Sequence, residues 1–264
     1  MKILFIGDIS GAAGKRAVSN ELWKLKKEYN CDFVIANAEN TTLGRGLDFT
    51  DYNLLIESGI DFITMGNHTW HKNDIKEILK TKNNIVRPNN IKIGEEYSKY
   101  GVGTKLVKVK NKLLRITNLL GISVKMKDNI QTNPFLNLEE IIENDISDFH
   151  FVDFHCETTS EKNAMFLNFW GRVGAIFGTH THVQTNDARI INNTAYITDA
   201  GMTGARDGII GAKPDSIIAM FKGESTRFRL EEQSGIYQFC CVFLEIDDLT
   251  NQPIKVFPIT IYES

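Results

Sequence analysis

The sequence predicts a layered α/β domain built around a parallel-rich sheet, and three observations predict it. Short apolar runs alternate with stretches of helical period along most of the chain. Three further segments, 103–121, 189–201 and 239–262, read as strand pairs, so antiparallel strands are expected to flank that sheet. The composition, 42% hydrophobic and 24% charged over 264 residues, is that of a globular chain long enough to bury a large core. Repeats, low-complexity tracts and Pro/Gly/Ser linkers are absent from the sequence, which predicts a single domain over 1–264.

The elements come in order. "KILFIG" (2–7) is a buried strand, and "KRAVSNELWKLKKEY" (15–29) a helix with Val18, Leu22 and Leu25 at helical spacing. "DFVIANA" (32–38) is a second strand, and 50–58 a helix starting near Thr50 or Asp51. "DFITMG" (61–66) is a third strand, followed by a helix over 73–80 capped by Asn73. Residues 103–121 alternate apolar and polar on either side of "KNK", which predicts two antiparallel strands and a turn. Then come a helix (134–144), a strand (149–154), a helix (160–171) and a strand (173–178). A hairpin turning at Asn192-Asn193 and a C-terminal strand pair complete the reading.

Composition excludes several classes of protein. A net charge of −3 leaves no polycationic footprint for long nucleic acid. Cys31, Cys156, Cys240 and Cys241 form no C-x-x-C pattern, and a reduced chain is the simplest reading. The apolar run before Asp8 is too short for a signal peptide, and nothing approaches the ~18–20 apolar residues of a membrane span. A cytoplasmic protein without membrane contact is expected.

The polar residues just past each strand carry the chemistry. After "ILFIG" comes Asp8; after "FVIANA", Glu39 and Asn40; after "FITMG", Asn67 and His68; after "FHFVDF", His155; after "VGAIFG", His180 and His182. Ligands of open α/β sheets bind beyond the carboxyl ends of the strands, so these loops are expected to converge. They bring two carboxylates, two amides and four histidines. Imidazole and carboxylate suit Zn, Fe or Mn, and the absence of thiolates argues against a structural zinc site. The set is too large for one ion; two ions about 3.5–4 Å apart, bridged by a carboxylate, would use it. In an extended stretch His180 and His182 point to the same side and would serve one ion each.

Other residues have simpler readings. His71 and His150 are read as structural, Cys156 as a neutral buried thiol, and Trp23 and Trp170 as core or interface. Asp8 by itself would equally suit a helix cap, and "GNH" a plain turn. The glycine loop "TTLGRGL" (41–47) lacks the pattern of an NTP-binding loop, but its Arg45 is a candidate for contacting substrate.

At these residues the chain resembles the YmdB-like branch of the calcineurin-like metallophosphoesterases. The resemblance rests on "GDISGAAGK", "ANAENTTLGRGL", "TMGNHTWH", "DFHCETTSEK", "GTHTHVQT" and "DAGMTG", in order, from residue 3 to about residue 210. It implies a four-layered α/β/β/α metallophosphoesterase sandwich with a dinuclear metal site. Position by position, it implies Asp8, Glu39, Asn40 and His182 around one ion, and Glu39, Asn67, His155 and His180 around the other. His68 would lie beside the ions without ligating. The chain departs from the wider superfamily at Ser10, which follows Asp8 and Ile9 where D-x-H is usual, and at Glu39, which stands for a bridging Asp. After "DAGMTG" it departs again, with Ala205, Arg206 and Asp207.

The resemblance implies a phosphodiesterase acting on small cyclic nucleotides, 2′,3′- or 3′,5′-, with divalent or mixed-valence Fe, Mn or Zn. Two such ions would lower the pKa of a bridging water and give a hydroxide near neutral pH. His68, when protonated, would stabilise charge or protonate the leaving oxygen; its unperturbed pKa near 6.5 suits that role. A phosphomonoesterase or nucleotidase, and a slow regulatory protein associated with RNA, are the alternatives. The expected partner is a small phosphodiester, RNA ends included; a homo-oligomer stays open.

Overall fold

A computed structural model of the chain describes residues 1–92, 96–126, 130–226 and 231–263. Along the first half, β1 (Lys2–Ile6), β2 (Asp8–Ile9), α1 (Gly11–Tyr29), β3 (Phe33–Asn37), α2 (Phe49–Glu57), β4 (Phe62–Thr64) and α3 (Ile75–Thr81) succeed one another. The hairpin β5 (Thr104–Val109)–β6 (Lys112–Leu120) leads to α4 (Pro134–Glu143), β7 (Phe149–His155), α5 (Thr159–Phe169) and β8 (Ala175–Thr179). Last come β9 (Arg189–Ile191), β10 (Thr194–Ile197), β11 (Met202–Ala205), α6 (Pro214–Phe221), β12 (Tyr237–Ile246) and β13 (Pro253–Tyr262).

The strands form two sheets. One runs β2-β11-β12-β1-β3-β4, with β13 on the other edge of β12; the second runs β5-β6-β7-β8-β10-β9. Side-chain alternation turns these sheets into layers. Leu4, Ile6, Val34 and Ala36 face one way and pack against Val18, Leu22, Leu55 and Ile78 of α1, α2 and α3. Their neighbours Ile3, Phe5 and Ile35 face the other way and meet Leu114, Phe151 and Phe177 of the second sheet. The far face of that sheet, Val152, Phe154 and Ile176, packs on Leu138 of α4 and on Met165, Phe166 and Phe169 of α5. Three apolar seams therefore hold four layers, α/β/β/α. Phe5 sits at the middle seam, its ring 5.1 Å from that of Phe151 and 5.9 Å from that of Phe177. Truncating such a residue typically costs about 3–5 kcal/mol.

The C-terminal pair flanks the parallel strands of the first sheet, with β12 bonded antiparallel to β1 and β11 on one side and to the edge strand β13 on the other. The "FCCVFL" run of β12 is buried on both faces, as a central strand requires. The hairpins of the second sheet flank it, as edges β5 and β9. The structure corrects several expectations. α1 starts at Gly11 rather than near residue 15, in a small-residue stretch that carries no amphipathic signal. Gly14 is needed there, because a Cβ would lie 2.4 Å from the Thr203 carbonyl oxygen of β11. α2 is capped by Asp48, and the residue before α3 is Asp74 rather than Asn73. β2, β11 and α6 are elements that the sequence pattern does not announce. Trp23 is 58% exposed and belongs to no core, whereas Trp170 is partly buried against Phe166. Among the described residues no helix is long and apolar enough to cross a membrane.

Candidate active site

The carboxyl ends of β1, β3, β4, β7 and β8 meet at one end of the sandwich, and all eight polar residues read from those strand ends are there. His155, the last residue of β7, is fully buried. Its Nε2 lies 3.0 Å from Glu39 Oε1, 2.9 Å from Asn67 Oδ1 and 2.9 Å from His180 Nδ1. One ring nitrogen holds one proton or one lone pair, so it cannot satisfy a carboxylate, an amide oxygen and a second imidazole together. Such a convergence is what a cation between these atoms would resolve. Glu39, His155 and His180 alone form a group able to hold a metal ion.

A second group adjoins it. Asn40 Nδ2 lies 3.1 Å from His182 Nε2 and 3.3 Å from Glu39 Oε1, so Glu39 faces both groups. Asp8 receives the His180 backbone N–H at 3.0 Å through Oδ2. Its Oδ1 is buried with no hydrogen-bond partner, although His155 Nδ1 is 3.8 Å away. The helix-cap reading of Asp8 therefore does not hold; Ser10 precedes α1. The backbone leaves room for this crowd at Gly66, where a Cβ would lie 2.4 Å from Glu39 Oε2 and 2.6 Å from His155 Nε2.

The "GTHTH" stretch is not extended. His180 and His182 have φ of 96° and 66°, in the left-handed region. The loop curls, and the two rings reach the two groups by that route instead of by strand alternation. Asp199 holds the curl, its Oδ2 accepting from Thr181 N at 3.1 Å and Thr181 Oγ1 at 2.7 Å. Lys162 Nζ, itself buried, lies 2.6 Å from the same oxygen. "HCETTSEK" and "DAGMTG" thus act on the site through Lys162 and Asp199. Sequence reasoning did not assign these roles, nor that of Glu157, whose Oε2 lies 2.8 Å from His180 Nε2 and so turns Nδ1 towards His155.

Charges explain the strain on the cluster. Burial drives the Asp8 carboxyl up. Burial opposes ionisation of Glu39 as well, but the His155 imidazole outweighs it and holds Glu39 well below the usual carboxylate range. His155 shows the converse: burial pushes it down, and Glu39, Asp8 and Asp153 outweigh burial and raise it to about 9. Burial, aided by His155, pulls His180 down to about 3. Two buried carboxylates, Asp8 and Glu39, crowd His155 here, a setting that a divalent cation fits.

His68 differs from the expectation. Its backbone N–H donates to Glu39 Oε2 at 2.7 Å, while its side-chain Nδ1 is buried with no hydrogen-bond partner. Burial pulls its imidazole down to about 4, against the opposing Glu39 charge, so the free site holds it neutral at pH 7. Its ring packs edge-on against His71, centroids 4.6 Å apart. His150 stands outside the site, its Nε2 2.8 Å from Thr117 Oγ1 and its Nδ1 2.9 Å from Asp145 Oδ2, as its structural reading requires. Cys156 is a buried thiol pushed up to about 12 by burial. A cavity of about 220 Å³ opens over the cluster, lined by Glu39, Asn40, His68, His180 and His182, with Arg45 at its edge.

The family model described as YmdB-like protein matches residues 4–259. A Bacillus subtilis protein named 2′,3′-cyclic-nucleotide 2′-phosphodiesterase is 42% identical over 260 residues, covering 97% of this chain and 95% of its own. A solved structure of a phosphatase from Mycoplasma pneumoniae superposes with a TM-score of 0.95 at 43% identity, covering 99% of this chain and 93% of that one. A calcineurin-like phosphoesterase of Bacillus subtilis shares the fold alone, with a TM-score of 0.58 at 11% identity over 99% of this chain and 90% of that one. The chain therefore belongs to the YmdB-like family, structurally related to the calcineurin-like phosphoesterases, and is a phosphoric ester hydrolase.

Proposed function

We propose that the chain hydrolyses the phosphodiester bond of small cyclic nucleotides at a dinuclear metal centre. The observation that carries this reading is the convergence of Glu39, Asn67 and His180 on one nitrogen of His155, beside the Asn40–His182 pair that Glu39 also faces. In this reading Glu39, Asn67, His155 and His180 hold one ion. Asp8, Asn40 and His182 share Glu39 around the other. Bound there, the ions supply a water nucleophile at neutral pH and neutralise the charge of the ester oxygens. Glu39 keeps the two halves of the site in register. His68 lines the cavity beside the cluster and handles the proton of the leaving oxygen. Arg45 contacts the substrate from the cavity edge.

Charge favours a diester over a monoester. Glu157, Glu231 and Glu232 line the cavity, and among its described lining residues Arg45 is the single Lys or Arg. A diester brings one negative charge into that setting; a monoester at neutral pH brings nearly two. The 42% identity to a 2′,3′-cyclic-nucleotide phosphodiesterase supports the same choice. The test is a panel of 2′,3′- and 3′,5′-cyclic nucleotides, bis-p-nitrophenyl phosphate and nucleoside monophosphates, run with Mn²⁺, Fe²⁺ and Zn²⁺. Cyclic nucleotides are expected to be the best substrates, with two metal ions per chain by elemental analysis. Preferential turnover of monophosphates, or a stoichiometry that never exceeds one, overturns the respective half of the proposal.

A further inference from the structure

Two aliphatic side chains stand at the mouth of the cavity in backbone conformations that oppose them. Leu43 is 73% exposed with φ of 54°, and Ile210 is 52% exposed with φ of 46°. Each precedes a glycine that also has positive φ, Gly44 at 77° and Gly211 at 91°. Both line the cavity over Glu39 and His68. A β-branched residue in the left-handed region is a genuine outlier, and such strain persists where the surroundings over-determine it.

The surroundings do so here. Ile209 and Ala212 exchange backbone hydrogen bonds at 2.8 and 3.0 Å, closing a two-residue turn over Ile210-Gly211. A tight hairpin turn with both central residues at positive φ selects Asn-Gly or Asp-Gly, not Ile-Gly. The Ile210 carbonyl oxygen lies 2.8 Å from His182 Nδ1, which fixes the turn to the polar cluster. Gly211 packs so tightly that a Cβ would lie 2.9 Å from Ser10 Oγ. On the facing loop, Thr42 N bonds to Gly46 O at 2.9 Å and Arg45 N to Thr42 O at 3.2 Å, so Leu43 sits on a pinned tip. Neither side chain helps to fill a core, and both are held where water would otherwise exclude them.

We infer that Leu43 and Ile210 form an apolar clamp for the nucleobase of the substrate. This rests on the phosphodiesterase reading above and adds the subsite that receives the base. A nucleotide has a charged end and a flat apolar end. The cavity carries polar groups from Glu39 to His182, and Leu43 and Ile210 are the exposed aliphatic side chains in its lining, beside Arg45 and the carboxylates of Glu157, Glu231 and Glu232. Aliphatic contact grips a base face without reading its hydrogen-bond edge. The clamp therefore accepts all four bases, and prefers purines because they cover more apolar area.

The experiment compares kcat/KM of the metal-reconstituted enzyme on 2′,3′-cyclic AMP, 2′,3′-cyclic CMP and glycerol 1,2-cyclic phosphate, which lacks a base. The variants are Leu43→Gly and Ile210→Gly. Each is expected to lower the ratio of nucleotide to base-free kcat/KM at least fivefold, chiefly through KM, since uniform binding is what is lost. Glycine also relieves the left-handed strain, so Tm should stay level or rise. A ratio that does not move, or a Tm that falls together with activity on all three substrates, overturns the clamp. If the wild type turns over no cyclic nucleotide, the parent reading fails separately. Affinity for adenosine 2′-monophosphate against glycerol 2-phosphate then decides the clamp by the same fivefold criterion.

Discussion

The Thr179 hydroxyl lies 2.9 Å from His155 Nδ1. Its own hydrogen goes to Asp153 Oδ1 at 2.7 Å, so it accepts from the imidazole. Asp153 is held between the sheets by Asn37 and Thr64 as well. This chain fixes the proton of His155 on Nδ1 and aims Nε2 at Glu39, Asn67 and His180. Outer partners of this kind are typically worth 10–100-fold in metal affinity or activity. Thr179→Val should therefore lose about 10–100-fold in metal affinity by calorimetric titration, while Thr179→Ser keeps most of it. Wild-type affinity in the valine variant would show that His155 needs no orienting partner.

Glu39 and Asn40 are neighbours with unequal roles. Glu39 faces both His155 and Asn40, whereas Asn40 meets the His182 side alone. Glu39→Gln removes the charge that both halves share and should empty both metal positions. Asn40→Ala removes one neutral group from one half and should be the milder loss. Metal content and kcat, measured together, check the order. Full metal loading with normal turnover in Glu39→Gln would remove the bridging assignment.

Away from the site, Asp145 ties Arg115 to His150. Its Oδ1 lies 2.7 Å from Arg115 Nε and its Oδ2 2.9 Å from His150 Nδ1. Burial opposes its ionisation, but His150 and Arg115 outweigh burial and hold the carboxyl below the ordinary range. A depressed carboxyl stabilises the fold above its unfolded value, about 3.9, and that contribution is lost as pH falls through the folded value. His150 acts in the same direction: burial lowers it, so acid below its unfolded value near 6.5 also destabilises. Asp145→Asn should cost about 1.5–3 kcal/mol in urea unfolding at pH 7, as for hydrogen bonds to a charged group. The difference from wild type should shrink below about pH 4. A difference independent of pH would mean that packing, not charge, is what Asp145 supplies.

Why some of this was legible in sequence and some not comes down to which contacts are local. Strand ends announce themselves, because an apolar run must stop before a polar group can reach a cleft; Asp8, Glu39, Asn67, His155 and His180 were visible for that reason. The paired hairpins were visible through alternation. The pairing of β12 with β1 was not, because a run buried on both faces shows no period, and β1 lies far away in sequence. Thr179, Asp153 and Lys162 were hidden likewise. Each looks like an ordinary residue of a strand or helix until the second sheet brings its partner within hydrogen-bond reach. The curl at His180 and His182 was missed since non-glycine residues rarely adopt positive φ, and nothing local signals Asp199 as its anchor.

His68 offers the sharpest test of mechanism. Its Nδ1 is buried with no hydrogen-bond partner, the residue lines the cavity, and its ring is neutral at pH 7 because burial pulls it down to about 4. An anionic ester entering the cavity favours the protonated form, which is the form that donates to a leaving oxygen. His68→Ala should leave the metal content intact and lower kcat by about 10²–10⁴-fold on a cyclic nucleotide. Bis-p-nitrophenyl phosphate expels a stable phenolate that needs little proton donation, so its deficit should be smaller. A ribose hydroxyl leaves poorly and needs the proton. Equal deficits on both substrates, with metals in place, would assign His68 to charge stabilisation instead. Loss of metal would make it a ligand, and the unpartnered Nδ1 would then belong to the cluster around Glu39.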